Sequence, residues 1–572
     1  MSLLRTISLT ALATASLSLA ACDPAAMTAA STLNIPQVAP AKIDMAAYQA
    51  DVKELSSDAF GGRAPGTKGE ELTVAYLAKQ FEAAGLKPGG TNGSWFQDVP
   101  LVSIETQNPS ALTFTGAEAD TALKYKDDFV IGSYRVTPRT EIKDSDVVFV
   151  GYGINAPEKG WNDYAGKDVK GKTVLILVND PDYQTKDLTG DFGGRAMTYY
   201  GRWTYKFEEA ARQGAAAAII IHDTEPAAYG FNVVQSSWTG PQHMADAADN
   251  HMNETQANGW ISNDKAKTLL ASVGQDLAKL QEAAKTKGFK AVDLPLKMSV
   301  SFDNKIEKAK SKNVIGILPG TKKPNEYVLY TGHWDHLGDC GEGKPPANKA
   351  GDVICNGAVD NATGTAALIA LAKANAAAGA ADRSQVFVAV TAEESGLLGS
   401  KFYAENPLFP LGQTVGGVNM DALSIAGPAK NIVVVGKGKS ELDSYLEAAA
   451  KVQGRTLTTE PTPEKGFYYR SDHFSFAKQG VPMIYFEGGD DLVTGGKEAA
   501  EAFSKNFEEN HYHAPSDEFS LITNWDGITQ DLGLYYLVGR MMAMSDSWPN
   551  WVAGDEFRAV RDKSRSGDAA AK

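Results

Sequence analysis

Short apolar runs alternate with amphipathic stretches between about residues 310 and 545. The runs N-V-I-G-I-L, Y-V-L-Y-T, Q-V-F-V-A-V-T, G-G-V-N-M and P-M-I-Y-F have the length of buried strands, whereas G-T-A-A-L-I-A-L-A-K-A has helical spacing. Buried parallel strands are normally joined by helices that cover both faces of the sheet. The alternation therefore predicts an α/β fold with a mostly parallel, twisted sheet and helices on both faces.

The rest of the chain suggests a second folded unit, since 572 residues are too many for one ordinary core. Residues 43–90 have helical spacing on either side of the turn-rich segment S-S-D-A-F-G-G-R-A-P-G-T-K-G. Further on, D-V-V-F-V-G-Y-G, K-T-V-L-I-L-V and A-A-A-A-I-I-I predict a smaller α/β unit. We predict a main domain over 43–144 and 301–548, an inserted domain over 145–300, and a flexible tail over 549–572.

The N-terminus is similar to an export signal. Arg5 precedes an apolar stretch that ends in L-A-A-C at Cys22, and small residues before a cysteine resemble a bacterial lipoprotein signal. We predict a signal peptide over 1–21, lipidation of Cys22, a flexible tether over 22–42, and a periplasm-facing location in the bacterial cell envelope. The alternative is an ordinary secretory signal and a secreted protein.

Composition narrows the range of partners. The formal net charge is −15 at pH 7, and phosphate binding needs basic patches, so we expect no nucleic-acid partner. A hydrophobic content of 43% and a charged content of 22% are normal for a soluble globular protein. The sequence leaves the oligomeric state open.

Side chains of the kinds that bind metals follow separate strand-like runs in the second half of the chain. Ligands of open parallel sheets bind at the carboxyl ends of the strands, so these side chains are expected to converge. Imidazoles and carboxylates together can hold two divalent ions, with one carboxylate bridging and positions left open for water. The candidate ligands are His333, Asp360, Glu394, Asp421 and His513.

Asp360 lies in a Gly/Asn-rich turn before a helix and suits the bridging role. Glu393 is the candidate general base. Asp335 follows His333 by two residues and is expected to orient that imidazole through its second ring nitrogen. His511 competes with His513 for the last ligand position, and His336 and His473 are assigned supporting or structural roles.

Two further residues are candidates for contacts with a substrate. Tyr512 could donate a hydrogen bond to the oxyanion of a tetrahedral intermediate, with simple packing as the alternative. Arg470 could bind a substrate carboxylate, with an ordinary salt bridge as the alternative. In an oxidising periplasm Cys340 and Cys355 could form a disulfide, and cysteine ligation of a metal is the competing interpretation.

Taken together, the motifs resemble the dizinc aminopeptidase and glutamate carboxypeptidase family of zinc metallopeptidases. The resemblance is carried, in order, by S-D-A-F-G-G-R-A-P-G-T, G-H-W-D-H, G-A-V-D-N-A-T-G, T-A-E-E-S-G-L-L-G-S, N-M-D, Y-R-S-D-H-F-S-F and Y-H-A-P-S-D. Residues 145–300 resemble the protease-associated domain that some members carry inside the peptidase domain. The resemblance also implies a cis peptide between Asp360 and Asn361.

This resemblance implies a zinc-dependent exopeptidase that acts on peptide substrates. It favours an aminopeptidase with two Zn2+ ions, in which Glu393 activates a metal-bridging water, although other divalent metals suit the same ligands. The alternatives are a carboxypeptidase that uses Arg470, a glutaminyl cyclase, and a non-catalytic receptor-like binding protein.

Overall fold

The computed structural model describes residues 33–116, 121–340 and 351–570. The predicted signal peptide, Cys22 and the first part of the predicted tether lie outside these residues. Within the described part of the chain, no helix has the length and apolar character needed to cross a bilayer.

A mostly parallel sheet forms the centre of the main unit, as predicted. Lys323–His333 pairs in parallel with Arg383–Val390 on one side and with Thr414–Asn419 on the other. Thr414–Asn419 continues in parallel to Met483–Glu487. Antiparallel or short strands complete the sheet at its edges: Lys87–Pro88, the end of Val292–Leu318, Asn431–Val434 and Thr456–Thr459.

Helices cover both faces of this sheet. Successive side chains of a strand point to opposite faces, so a fully buried strand contributes to a core on each face. Val328 and Tyr330 belong to one hydrophobic core, whereas Leu329, between them, belongs to another. The helices of the main unit are Met45–Leu55, Lys68–Ala83, Thr363–Ala377, Leu398–Glu405, Leu442–Val452, His473–Lys478, Gly496–Asn510, Asp526–Met544 and Arg558–Ala570.

The second unit is also α/β. Its parallel strands are Arg139–Phe149, Thr173–Leu177, Ala217–Ile221 and Ala257–Ile261, in that spatial order. Leu175 and Ile219 enter the core on one face, and Val174 and Ile220 enter the core on the other. The helices of this unit are Trp203–Arg212, Thr224–Ala227, Phe231–Ser237, Asn263–Ala271 and Leu277–Ala284.

The core of the second unit begins upstream of the predicted boundary at residue 145. Phe129–Gly132 pairs antiparallel with Ala257–Ile261, and Leu112 and Phe129 are fully buried in this core. The sequence pattern predicted the main domain for these residues, because their strands are short and have little periodicity. The smaller strands are Leu112–Thr115, Thr121–Leu123, Asn155–Ala156, Trp161–Asn162 and Gln242–Ala245.

A long antiparallel pair of strands connects the two units. Phe96–Gln107 and Val292–Leu318 pair antiparallel without interruption from Phe96 opposite Val314 to Gln107 opposite Asp303. Both crossings between the units therefore lie side by side.

Both predicted flexible ends pack onto the main unit within the described residues. Leu33 and Ile35, in the predicted tether, lie against its hydrophobic core, and the Asn34 amide donates to Ser547 Oγ over 2.8 Å. In the predicted tail Trp551 is fully buried, and the buried Arg561 guanidinium donates to the backbone oxygen of Val415 over 3.2 Å. Apolar and aromatic residues spaced among the polar ones anchor these segments.

A disulfide joins Cys340 to Cys355, whose Cα atoms are 5.8 Å apart. The short strands Gly338–Asp339 and Ile354–Cys355 pair antiparallel beside it. The disulfide therefore closes the base of the loop between His333 and Asp360.

Replacing both Cys340 and Cys355 by serine is expected to lower the free energy of unfolding by about 3 kcal/mol, because the cross-link restricts a loop of 15 residues in the unfolded chain. Chemical denaturation of the metal-free protein measures the loss. The same loss should follow when the wild-type protein is reduced, and an unchanged stability in both experiments would contradict it.

Candidate metal centre

The candidate ligands converge at the carboxyl edge of the central sheet. His333 is the last residue of its strand, Glu393 and Glu394 follow Arg383–Val390, and Asp421 follows Thr414–Asn419. Parallel strands end at the same edge of a sheet, so residues far apart in sequence meet there.

The first group of donors is formed by His333, Asp360 and Asp421. The Nε2 atom of His333 lies 3.3 Å from Oδ1 of Asp360 and 3.1 Å from Oδ1 of Asp421. The imidazole is 1% exposed. One donor atom from each residue lies within 4.8 Å of the others, a spacing that suits a single bound cation.

The second group uses the other oxygen of the same aspartate. Nε2 of His513 lies 3.3 Å from Oδ2 of Asp360 and 3.1 Å from Oε2 of Glu394. Each oxygen of Asp360 therefore faces a different histidine, which is the arrangement needed for a carboxylate that bridges two ions.

His336 belongs to this second group, although the sequence analysis gave it only a supporting role. Its Nδ1 atom lies 2.6 Å from Oε1 of Glu394, and it forms a possible metal-binding group with Asp360 and Glu394. Its Nε2 atom is buried without a hydrogen-bond partner among the described residues. The signal available in the sequence was the second histidine of G-H-W-D-H. His473, by contrast, packs between the rings of Tyr468 and Tyr485.

His336→Ala is expected to weaken zinc binding about 10–100-fold, because the substitution removes the partner that fixes Glu394. Competition with a chromophoric zinc chelator measures the affinity. His473→Ala is the matched control, since that ring is equally buried but packs against the rings of Tyr468 and Tyr485, and it should leave the affinity unchanged. Equal affinities of the His336 variant and the wild type would exclude this role.

The loop of Asp360 is held from both sides by residues that the sequence analysis did not single out. The Asp517 carboxylate accepts the amides of Val359 and Asp360 over 2.9 and 3.0 Å. Asn361, which follows Asp360 across a cis peptide bond, donates to the Met420 carbonyl over 3.0 Å. These contacts fix the direction in which the Asp360 carboxylate points.

Asp335 supports the site differently from the prediction. The Nδ1 atom of His333 lies 3.1 Å from the Asp335 backbone oxygen, whereas the carboxylate is 3.8 Å away. That carboxylate instead accepts the amides of Glu393 and Glu394 over 3.1 and 3.4 Å. Asp335 therefore links the loop of His333 to the loop of the two glutamates.

Asp421 is held by a chain of polar side chains. The Ser471 hydroxyl donates to Oδ2 of Asp421 over 2.6 Å and accepts from Nδ2 of Asn419 over 2.7 Å. The Oδ1 atom of Asp421 remains directed at His333. Ser471 lies in the Y-R-S-D-H-F-S-F motif, and the sequence alone indicated no role for this serine.

The charges of the site call for a cation. Burial raises the pKa of Glu393 well above its usual range and that of Asp335 to about 7. Burial opposes the charged form of His513, but the hydrogen-bonded carboxylates of Asp360 and Glu394 outweigh it and raise its pKa to about 9. Buried carboxylates need compensating charge. Imidazole nitrogens and carboxylate oxygens are the usual ligands of zinc, so the donor set fits that metal.

The two candidate substrate contacts lie beside this cluster. The ring of Tyr512 stacks on that of His513 with centroids 3.9 Å apart, and Tyr512 is 42% exposed. Arg470 is exposed and lies over the ring of Phe467 at 5.2 Å. Among the described residues, no carboxylate lies within 4.0 Å of the Arg470 guanidinium, so no protein salt bridge occupies it.

The family model of Peptidase family M28 matches residues 313–531, which include every candidate ligand. Aminopeptidase NAALADL1 of Mus musculus is 29% identical over 160 residues, or 27% of this chain and 19% of that protein. The chain thus matches about a fifth of the length of this curated relative.

Solved structures with a similar course of the chain include an aminopeptidase from Aneurinibacillus sp. strain AM-1, with 20% identity and a TM-score of 0.45 over 88% of this chain and 95% of that one. Another is BSAP, a zinc aminopeptidase from Bacillus subtilis, with 18% identity and a TM-score of 0.40 over 87% and 95% of the two chains.

The donor cluster at the carboxyl edge of the sheet lies inside the segment 313–531 that matches this family model, so that segment is similar to the metallopeptidases of family M28.

Proposed function

We propose that this protein is an exported, zinc-dependent aminopeptidase that removes N-terminal residues from peptides. The observation that carries the proposal is the sharing of Asp360, whose two oxygens lie 3.3 Å from His333 and 3.3 Å from His513. His333 and Asp421 would hold one ion, His513 and Glu394 would hold the other, and Asp360 would bind both.

The chain's own residues supply the proton transfers. Zinc ions in such a site lower the pKa of water and polarise the scissile carbonyl. The Glu393 carboxylate accepts a proton from the attacking water and delivers it to the leaving amine. Tyr512, beside His513, donates a hydrogen bond to the oxyanion that develops on the carbonyl.

Negative charge near the first donor group favours a substrate with a free amine. Glu487 is exposed at the end of its strand, and partial desolvation together with the neighbouring carboxylates of Glu460 and Asp421 raises its pKa to about 7. A protonated N-terminal amine would be attracted by this region, whereas a carboxylate would be repelled.

A carboxypeptidase is the second candidate, and Arg202 and Arg470 support it. Burial lowers the pKa of Arg202 to about 10, and the positive charge of Arg470 adds to the effect. Among the described residues, neither guanidinium has a carboxylate within 4.0 Å. Two unpaired cations near each other suit the C-terminal carboxylate of a peptide.

A matched peptide panel separates the candidates. Purified residues 23–572 would be given the same peptide in free, N-acetylated and C-amidated forms, with and without chelator. An aminopeptidase loses activity on acetylation and on chelation, whereas a carboxypeptidase loses it on amidation. Formation of pyroglutamate from an N-terminal glutamine, without cleavage of any peptide, would identify a glutaminyl cyclase.

We also propose that Cys22 carries a lipid anchor on the periplasmic side of the cell envelope. The L-A-A-C sequence supports this location. Metabolic labelling with a palmitate analogue, compared between the wild type and Cys22→Ser, tests it.

The second unit, proposed to be a protease-associated domain, contacts the segment before Arg470, where Arg195 forms an ion pair with Glu464.

A further inference from the structure

Arg63 is a buried arginine without a carboxylate partner in the part of the chain that the structure describes. It is 0% exposed, and among the described residues no carboxylate lies within 4.0 Å of its guanidinium. It lies in the segment S-D-A-F-G-G-R-A-P-G-T, whose role the proposed function leaves unexplained. A buried charge is retained only where hydrogen bonds compensate its lost hydration.

Four backbone carbonyls provide that compensation. The Nε atom of Arg63 donates to Trp334 over 2.8 Å, and Nη1 donates to Leu55 and Asn356 over 2.8 and 2.6 Å. Nη2 donates to the carbonyl of Gly357 over 2.9 Å. The planar guanidinium has a fixed donor geometry, so its partners are held at fixed positions relative to one another.

Three of these carbonyls belong to the two loops that bear the central donors, whereas that of Leu55 ends the helix Met45–Leu55. Trp334 directly follows His333, and Asn356 and Gly357 precede Asp360. Arg63 therefore joins the loop of a terminal ligand to the loop of the proposed bridge. The side chains of His333 and Asp360 approach within 3.3 Å, so a small change in the separation of the two loops would disturb both donor groups.

The residue before Arg63 shows how closely this segment fits the same loops. A Cβ atom on Gly62 would lie 2.5 Å from the Cys355 carbonyl oxygen and 2.7 Å from Cα of Gly338. Gly62 also has a φ of 66°, which favours glycine. Both the backbone and the guanidinium of this segment are thus fitted to the loops of His333 and Asp360.

The charge of Arg63 acts in the same direction. Burial lowers its pKa to about 10, while Asp517, Asp335, Asp360 and Glu394 favour the charged form. The guanidinium therefore remains positive at neutral pH and offsets part of the negative charge of the donor cluster.

We propose that Arg63 is a positioning residue that holds the His333 loop and the Asp360 loop at the separation needed for shared metal binding. The inference rests on the proposed metal site, and it does not depend on which peptide bond is cleaved.

The test compares zinc affinity and apoprotein stability of Arg63→Lys with those of Arg561→Lys. Arg561 is the matched control, because it is also fully buried and donates to backbone carbonyls, those of Leu411 and Val415. Lysine keeps the charge but cannot reach all four carbonyls. Arg63→Lys should bind zinc about 10–100-fold more weakly than the wild type, whereas Arg561→Lys should bind it equally well.

Peptide kinetics give a second measurement, in which Arg63→Lys should lower kcat at saturating zinc and leave KM unchanged. Wild-type zinc affinity in a folded Arg63→Lys protein would overturn the proposal. If near-UV circular dichroism shows that Arg63→Lys is unfolded, Arg63→Gln is tested in its place. If both variants are unfolded, Arg63 is needed for folding in general, and the proposal is overturned. A wild-type protein that binds zinc but cleaves no peptide would reject only the proposed function.

Discussion

Glu393→Gln is expected to lower kcat by about 10²–10⁴-fold, which is the usual contribution of a general base, while zinc content stays unchanged. Glutamine keeps the shape of the side chain but cannot accept the proton. The Oε2 atom of Glu393 lies 4.0 Å from Nε2 of His333, farther than the nearest oxygens of Asp360 and Asp421, which lie at 3.3 and 3.1 Å. Steady-state kinetics with a peptide of free N-terminus, together with metal analysis of the same sample, measure the effect.

The adjacent residue provides the control for this prediction. Glu394→Gln removes a carboxylate that lies 3.1 Å from His513 and 2.6 Å from His336, so it should lose zinc as well as activity. Loss of zinc in the Glu393 variant, or retention of activity, would contradict the division of roles between the two glutamates.

Asp360→Asn is expected to weaken the binding of both ions by at least about 100-fold, because it removes a buried charge on which both groups of donors depend. Its two oxygens face His333 and His513 respectively, so neither donor group survives intact. Isothermal titration of the metal-free protein with zinc measures the loss. Asp421 belongs to only one of the two donor groups, so Asp421→Asn should mainly weaken one of the two binding events.

Asp382→Asn is the control for the Asp360 variant. Asp382 precedes the strand Arg383–Val390 and pairs with Lys322 at 3.1 Å, at the opposite edge of the sheet from the donor cluster. The Asp382→Asn variant should bind zinc with the same affinity as the wild type. Tight binding of two ions by Asp360→Asn would exclude the bridging role.

The fold class followed from the sequence because the central strands contain short apolar runs. Residues 327–333, Arg383–Val390 and Thr414–Asn419 are buried on both faces, which favours the apolar residues found in these runs. The start of the second unit was placed too late because Leu112 and Phe129 lie in strands of four residues, which have too little periodicity to assign to one core or another.

The donor residues were predictable because each follows a strand or lies in a distinctive motif. Their supporting contacts were not, because those depend on three-dimensional approach. Asp517 lies 157 residues from Asp360 and accepts its amide only after folding. The Arg63 guanidinium donates to the backbone carbonyl of Gly357, 294 residues further along the chain. His336 was undervalued because sequence spacing does not show which way each histidine of G-H-W-D-H points.

The most direct test of the central claim is a zinc titration of the metal-free protein in which bound metal and peptide cleavage are followed together. The account predicts two bound zinc ions per chain, with cleavage of a peptide of free N-terminus appearing as the sites fill and disappearing on chelation. Saturation at one zinc ion, or cleavage that persists in the metal-free protein, would contradict it.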